Sequence, residues 1–197
     1  MDYSKLLELA NRYKIILGSK SPRRVSLLEE IGLSFSQIIP EIEEINFNNE
    51  HPYQFAERLA KEKALNVLNK TESNSLVIGC DTIVILKQKI LGKPKDKNDA
   101  LQILSQLSGE NHEVCTAIAI VNSSNKIRST YELTKVYFNI VSKEQILDYI
   151  ETGEPMDKAG AYGIQGMGRF LVDRIDGNLD NVIGLPRLSL ERLASNF

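Results

Sequence analysis

Short apolar runs of strand length alternate with segments of helical apolar spacing along most of this chain. That alternation restricts it to an α/β architecture, a mixed twisted sheet flanked by helices. Residues 15–17, 35–39, 76–79, 83–86 and 170–172 read as short strands. Residues 114–121 and 131–141 read as two long antiparallel strands joined by a polar turn at 122–126. Only the second of these alternates, with Leu133, Val136, Phe138 and Ile140 among polar residues, so one of its faces is expected toward solvent. The run 76–79 is wholly apolar, as a central strand would be, and leads into Cys80-Asp81-Thr82. Helical spacing covers 22–31, 52–69, 96–107, 143–150 and 186–193. Between the first strand pair and the long helix lies an acidic stretch, Glu41 to Glu44, and a polar loop with Asn46, Asn48 and Asn49.

With 197 residues the chain supports one substantial core, or one domain with a subdomain, and not two independent domains. Hydrophobic residues at 42% and charged residues at 25% exclude disorder over any large part. A net charge of -2 argues against nucleic acid as a partner, while leaving room for a local basic pocket. No spanning or leader segment is evident, so no membrane partner is expected. Cys80 and Cys115 lie in or beside apolar runs and read as buried small hydrophobes of a cytoplasmic protein. His51 and His112 have no partner at metal-ligand spacing.

Residues 16–26 (ILGSKSPRRVS) combine a strand, a small-residue turn, a helix start and two arginines. Ser21 suits an N-cap and Pro22 the first helical position, with Val25, Leu28 and Ile31 as the expected core face and Gly32 as the stop. Unpaired amides and the positive dipole end then point beyond the strand. Arg23 and Arg24 in that first turn call for an anion, and a guanidinium grips phosphate oxygens in pairs. A solvated arginine pair fits the same two residues.

Other chemistry-bearing residues are dispersed. Asp81 sits at the expected carboxyl end of an apolar strand, where open α/β sheets bind ligands, and Thr82 adds a hydroxyl. Glu41, Glu43 and Glu44 offer oxygen ligands for a hard cation, or a solvated loop. Lys93 precedes a stiffening proline; Lys63 shares with Arg58, Lys61 and Glu62 a mixed polar helix face whose charges are more often solvated than functional. The glycine-rich segment 157–168 (DKAGAYGIQGMG) suits a backbone wrapped closely around a flat ligand, and the Gln165 amide could read a base edge.

In order and spacing, SKSPRR, GCDT, GKP, DKAGAYGIQG and VIGLP resemble the Maf family over nearly the whole chain. The resemblance implies a single Maf-like domain over 1–197, with two lobes and a nucleotide cleft between them as one form of it. The implied fold is similar to that of the inosine triphosphate pyrophosphatases (Maf/Ham1). The implied activity is a house-cleaning nucleoside triphosphate pyrophosphatase that cleaves between the alpha and beta phosphates with a divalent cation, magnesium in first place and manganese or cobalt as alternatives. Arg23, Thr82 and Gln165 are similar to the branch acting on dTTP and UTP, with modified pyrimidine nucleotides as further candidates. In the implied site, Asp81 is catalytic and metal-linked and Glu44 helps to hold the metal. Ser19, Arg23, Arg24, Lys63 and Lys93 meet the triphosphate, and Thr82 and Gln165 meet the base. A homodimer is implied as well. A 7-methylguanosine triphosphate type of specificity and a non-enzymatic, nucleotide-binding regulator of septum formation stay open as alternatives. Cys80 stands where many members have alanine, and the residues before about 14 read as an added amphipathic helix.

Overall fold

A computed structural model describes residues 2–47, 50–71 and 73–197; Asn48 and Asn49 of the expected polar loop lie outside the described residues. In chain order the elements are α1 (Ser4–Arg12), β1 (Lys14–Gly18), α2 (Pro22–Glu29), β2 (Ser36–Gln37), α3 (Pro52–Leu68), β3 (Ser75–Leu86) and β4 (Lys89–Leu91). They continue with α4 (Lys97–Leu107), β5 (Asn111–Asn122), β6 (Ile127–Phe138), α5 (Lys143–Glu151), β7 (Val172–Asp176), α6 (Leu179–Ile183) and α7 (Arg187–Ser195). Three short 3-10 turns, Glu154–Asp157, Ala159–Ala161 and Met167–Leu171, separate α5 from β7. The strands form a mixed seven-stranded sheet in the order β2-β1-β3-β5-β6-β7, with β4 on β3. Among the described residues no helix is long and apolar enough to cross a membrane.

The chain divides into two compact units: Met1–Asp81 with Thr116–Glu132 and Gly184–Phe197, and Thr82–Cys115 with Leu133–Ile183. In the first, β1 runs parallel to β2 and β3, in register from Lys14↔Ser75 to Gly18↔Gly79. Leu17, Leu28, Leu59, Leu76, Ile78 and Ile118 are fully buried there, each stabilising the fold by roughly 1.5–3 kcal/mol. In the second, β4 and β7 pair antiparallel with β3 and β6, around Leu104, Leu107, Val136, Ile146, Ile150 and Leu171. Local sequence sets the helix starts. Asp96 caps α4 through the Asp99 amide at 2.8 Å. Ser142 and Gln145 form a reciprocal capping box on α5.

The structure departs from expectation in four places. The runs 76–79 and 83–86 are one strand, β3, because Cys80 and Asp81 are buried and extended between them. The expected strand 35–39 pairs over two residues only, ahead of Pro40, and its Ile39 is 56% exposed. β7 begins at Val172, since 167–171 coil as a 3-10 turn. On β6 the inward set is Thr134, Val136 and Phe138; Leu133 alternates onto the opposite face and Ile140 lies past the strand's end, so both are exposed.

Candidate active site

Ser19 follows directly on β1 and is buried, and its neighbours turn it into an anchor for the helix start. Its hydroxyl accepts the Ser21 amide at 3.2 Å and Arg24 Nη1 at 2.9 Å, while its carbonyl accepts the side-chain amide of Gln37 at 2.7 Å. Arg24 Nε donates to the Gly184 carbonyl at 2.8 Å. Pro22 opens α2 as expected, but the Ser21 side chain makes no cap hydrogen bond, and the buried face of α2 is Leu27 and Leu28 rather than Val25, Leu28 and Ile31. Arg23 is half-buried in the first turn. The Ser21 amide and the Arg24 guanidinium are therefore fixed by the protein itself at this helix start.

Asp81 lies mid-strand, not at a strand end, yet it stands two residues past Gly79, the last residue of β3 paired with β1. Gly79 lets α3 press onto β3: a Cβ there would meet the Ala60 carbonyl oxygen at 2.3 Å. One turn along α3, Lys63 Nζ reaches Asp81 Oδ1 at 2.5 Å and Glu44 Oε1 at 2.6 Å. The other oxygen, Asp81 Oδ2, is buried and has no hydrogen-bond partner. Burial pushes the Asp81 carboxyl above its ordinary range, against the pull of Lys63 and Arg24.

The acidic stretch separates by role. Glu41 pairs with Lys70 at 2.9 Å and exchanges backbone hydrogen bonds with the Asn66 side chain, and Glu43 is exposed, so only Glu44 joins the Lys63–Asp81 pair. Sequence spacing missed Arg58, which seemed one of several solvated charges on α3. It binds Glu50 with two nitrogens at 2.7 and 2.6 Å, Glu62 at 2.9 Å and the Ile45 carbonyl at 2.7 Å, with its guanidinium 4.3 Å from the Phe47 ring centre. It fastens the chain directly after Glu44. The one available signal was the helical i,i+4 spacing of Arg58 and Glu62.

Among the described residues no cluster of three or more acidic, histidine or cysteine side chains could by itself hold a metal ion. Magnesium, however, keeps waters and commonly takes one or two protein carboxylates plus substrate phosphate oxygens. Glu44 and Asp81, gathered on one lysine and with Asp81 Oδ2 unsatisfied, fit that smaller donor set.

Thr82, Lys93 and Gln165 belong to the second unit. Thr82 is half-buried on β3; Lys93 and Gln165 are exposed. The Lys93 turn and the glycine-rich segment are tied together by the Gly160 amide, which donates to the Gly92 carbonyl at 3.1 Å. Gly163 and Gly166 approach the Glu154 carboxylate of the protein closely, and Gly168 approaches the Tyr149 hydroxyl.

Residues 14–197 match the family model described as Maf-like protein. The chain belongs to the Maf family. Among Maf relatives, a dTTP/UTP pyrophosphatase of Aquifex aeolicus is 46% identical over 180 residues, covering 91% of this chain and 93% of that one. A dTTP/UTP pyrophosphatase of Acetivibrio thermocellus is 44% identical over 191 residues, covering 93% and 95%. One of Aliivibrio fischeri is 43% identical, covering 93% and 98%. Of solved structures, a HAM1 protein from Coxiella burnetii aligns with a TM-score of 0.48 at 15% identity, over 93% of this chain and 98% of that one. Within this Maf chain the structure gives the VIGLP motif a local task, since Gly184 supplies the carbonyl that Arg24 grips. α1 lies outside the matched residues, as the sequence pattern implied.

Proposed function

We propose that this Maf protein is a nucleoside triphosphate pyrophosphatase acting on dTTP and UTP: water attacks the alpha phosphorus, and a nucleoside monophosphate and pyrophosphate leave. The kinship with dTTP/UTP pyrophosphatases over about nine-tenths of the chain supports the substrate class. The observation that carries the chemistry is Asp81, a buried carboxylate with one oxygen held by Lys63 and the other open.

In this reading Asp81 Oδ2 accepts a hydrogen bond from the attacking water and orients it, taking its proton as the new bond forms. Burial raises the affinity of Asp81 for a proton, the direction that suits a proton acceptor. Lys63 holds the carboxylate in place. Glu44 and Asp81 would hold a divalent cation, magnesium first and manganese or cobalt as alternatives, which when bound supplies charge neutralisation for the phosphates. Arg23, Arg24, the Ser19 turn and Lys93 meet the triphosphate, and positioning of that kind carries most of phosphoryl-transfer catalysis. Thr82 and Gln165 meet the pyrimidine edge.

The deciding experiment is a magnesium-dependent pyrophosphate-release screen over dTTP, UTP, CTP, 7-methylguanosine triphosphate and modified pyrimidine triphosphates. Turnover of dTTP and UTP above the rest is expected, and binding without release would leave a nucleotide-binding regulator instead. The same reading carries a homodimer in the cytoplasm, checked by light scattering of the purified protein and by cell fractionation.

A further inference from the structure

Segment 163–168, which carries Gln165, is folded around one side chain. Glu154 Oε2 accepts the Met167 amide at 2.8 Å; Oε1 accepts the Gly168 amide at 3.2 Å and the Tyr149 hydroxyl at 2.9 Å. The Tyr149 oxygen in turn accepts the Gly163 amide at 3.1 Å. Both flanks of Gln165 are thereby fixed to the pair Glu154–Tyr149. The approach is so close that side chains are excluded: a Cβ on Gly166 would stand 2.4 Å from Glu154 Oε2, and one on Gly168 2.5 Å from the Tyr149 oxygen. Against the cost of burial, these amides and the hydroxyl hold the Glu154 carboxyl below its usual range, while burial and Glu154 push the Tyr149 phenol up. Near neutral pH the acid is charged and the phenol remains a donor.

Beyond this anchor the described contacts of the segment are few: Gly168 is buried, the Gly166 carbonyl accepts the Arg169 amide at 3.1 Å, and Ile164 packs partly on the core of the second unit, while Gln165 and Gly166 are exposed and Met167 is 64% exposed. A glycine-rich backbone without this anchor would sample many conformations. An amide side chain separates a carbonyl from an amine on a base only when its own donor and acceptor ends are held in place.

We infer that Glu154 is the positioning residue for base selection: its carboxylate, with Tyr149, holds the backbone on either side of Gln165 and so sets the orientation in which that amide meets the pyrimidine. The inference rests on the reading that Gln165 contacts the base. Replacing the acid by its amide sets an NH2 group against the N–H and O–H donors that now converge on it, which loosens the segment without changing its size.

The test compares wild type, Glu154→Gln, Tyr149→Phe, Gln165→Ala and the Glu154→Gln/Gln165→Ala double variant in two assays. The first is amide hydrogen exchange of 163–168 in the free protein; the second is steady-state kinetics with UTP and CTP. Expected for Glu154→Gln are faster exchange at Met167 and Gly168, and a UTP-over-CTP preference reduced about tenfold, to that of Gln165→Ala, with KM affected more than kcat. The double variant should match the single ones. Tyr149→Phe, which keeps the carboxylate, should show a smaller change of the same kind and carries the comparison if Glu154→Gln does not fold. Unchanged exchange at Met167 and Gly168 in either variant overturns the inference. So does faster exchange with wild-type base preference while Gln165→Ala loses it. If Gln165→Ala keeps the preference, the base-contact reading itself has failed, visible separately from the exchange data, and the inference falls with it.

Discussion

Arg24 and Gly184 are 160 residues apart in sequence and joined by a 2.8 Å hydrogen bond from Nε to the glycine carbonyl. The same guanidinium donates to Ser19 from Nη1, so one planar group spans the helix start, the turn after β1 and the VIGLP segment. Both contacts depend on the planar geometry of the group and not on its charge alone.

Arg24→Lys keeps the charge and loses the fork. Steady-state kinetics with UTP should show KM up by about tenfold, and Gly184 without its partner should lower the thermal midpoint by a few degrees.

Asp81→Asn should reduce turnover of dTTP and UTP on the order of a hundredfold or more. Stability should move the other way. Because burial raises the Asp81 carboxyl in the folded state, the native form binds its proton more tightly than the unfolded chain does. Stability from this group is then lost as pH rises from the ordinary carboxylate range through the folded value. The variant, with Lys63 still paired to Glu44, is expected to melt at or above the wild-type temperature at pH 7, and the difference to vanish at pH 3. Calorimetry at the two pH values checks it.

His112 shows the opposite sign. It is buried beside Phe138 and Tyr162, its Nε2 lies 2.8 Å from the Tyr162 oxygen, and burial lowers its pKa to about 4. The unfolded chain takes up this proton near pH 6.5 and the folded one only near 4, so stability is retained above 6.5 and lost as pH falls through that window, by about 3 kcal/mol in full. Urea titrations at pH 7, 5.5 and 4 should show that slope in the wild type and a shallower one in His112→Gln.

Gly79→Ala tests the fit of α3 on β3. The added methyl must move the Ala60 carbonyl, from 2.3 Å, and the Ala64 backbone and side chain, both at 2.8 Å. A loss of about 1–3 kcal/mol is expected from overpacking, together with reduced activity, since Lys63 rides on the same helix.

Periodicity exposed most of the architecture because buried faces repeat: the helices α3, α4 and α5 and the strands β3, β5 and β6 are near where apolar spacing puts them. It failed where apolar spacing is not what decides. The join at Cys80-Asp81 is invisible because an acid in the middle of a buried strand looks like a break. The 3-10 turn at Met167–Leu171 contains Phe170 and Leu171, which imitate a strand start. In the site, motif order singled out the residues, and Lys63, Asp81 and Glu44 do meet. Supporting residues elsewhere were harder to read: Gln37 holds the Ser19 carbonyl and Glu154 the amides of Met167 and Gly168 through contacts 13 to 18 positions apart, and Arg58 showed only its i,i+4 spacing to Glu62. The glycines of 163–168 were noticed for the right property, close approach, but the approaching groups are Glu154 and Tyr149.

α1 adds a point about the chain's extremities. Its first turn has no acidic residue of its own; instead Glu191 on α7 receives the amides of Lys5 and Leu6 at 2.8 and 2.9 Å. Nine residues of helix are too few to persist alone in water, so α1 depends on the burial of Leu6 and Leu9 and on a carboxylate some 185 positions away. Engineering at either extremity is therefore engineering at both: clipping the protein before Glu191, or fusing a tag that strains α7, would set the amino-terminal helix loose although its own sequence were untouched.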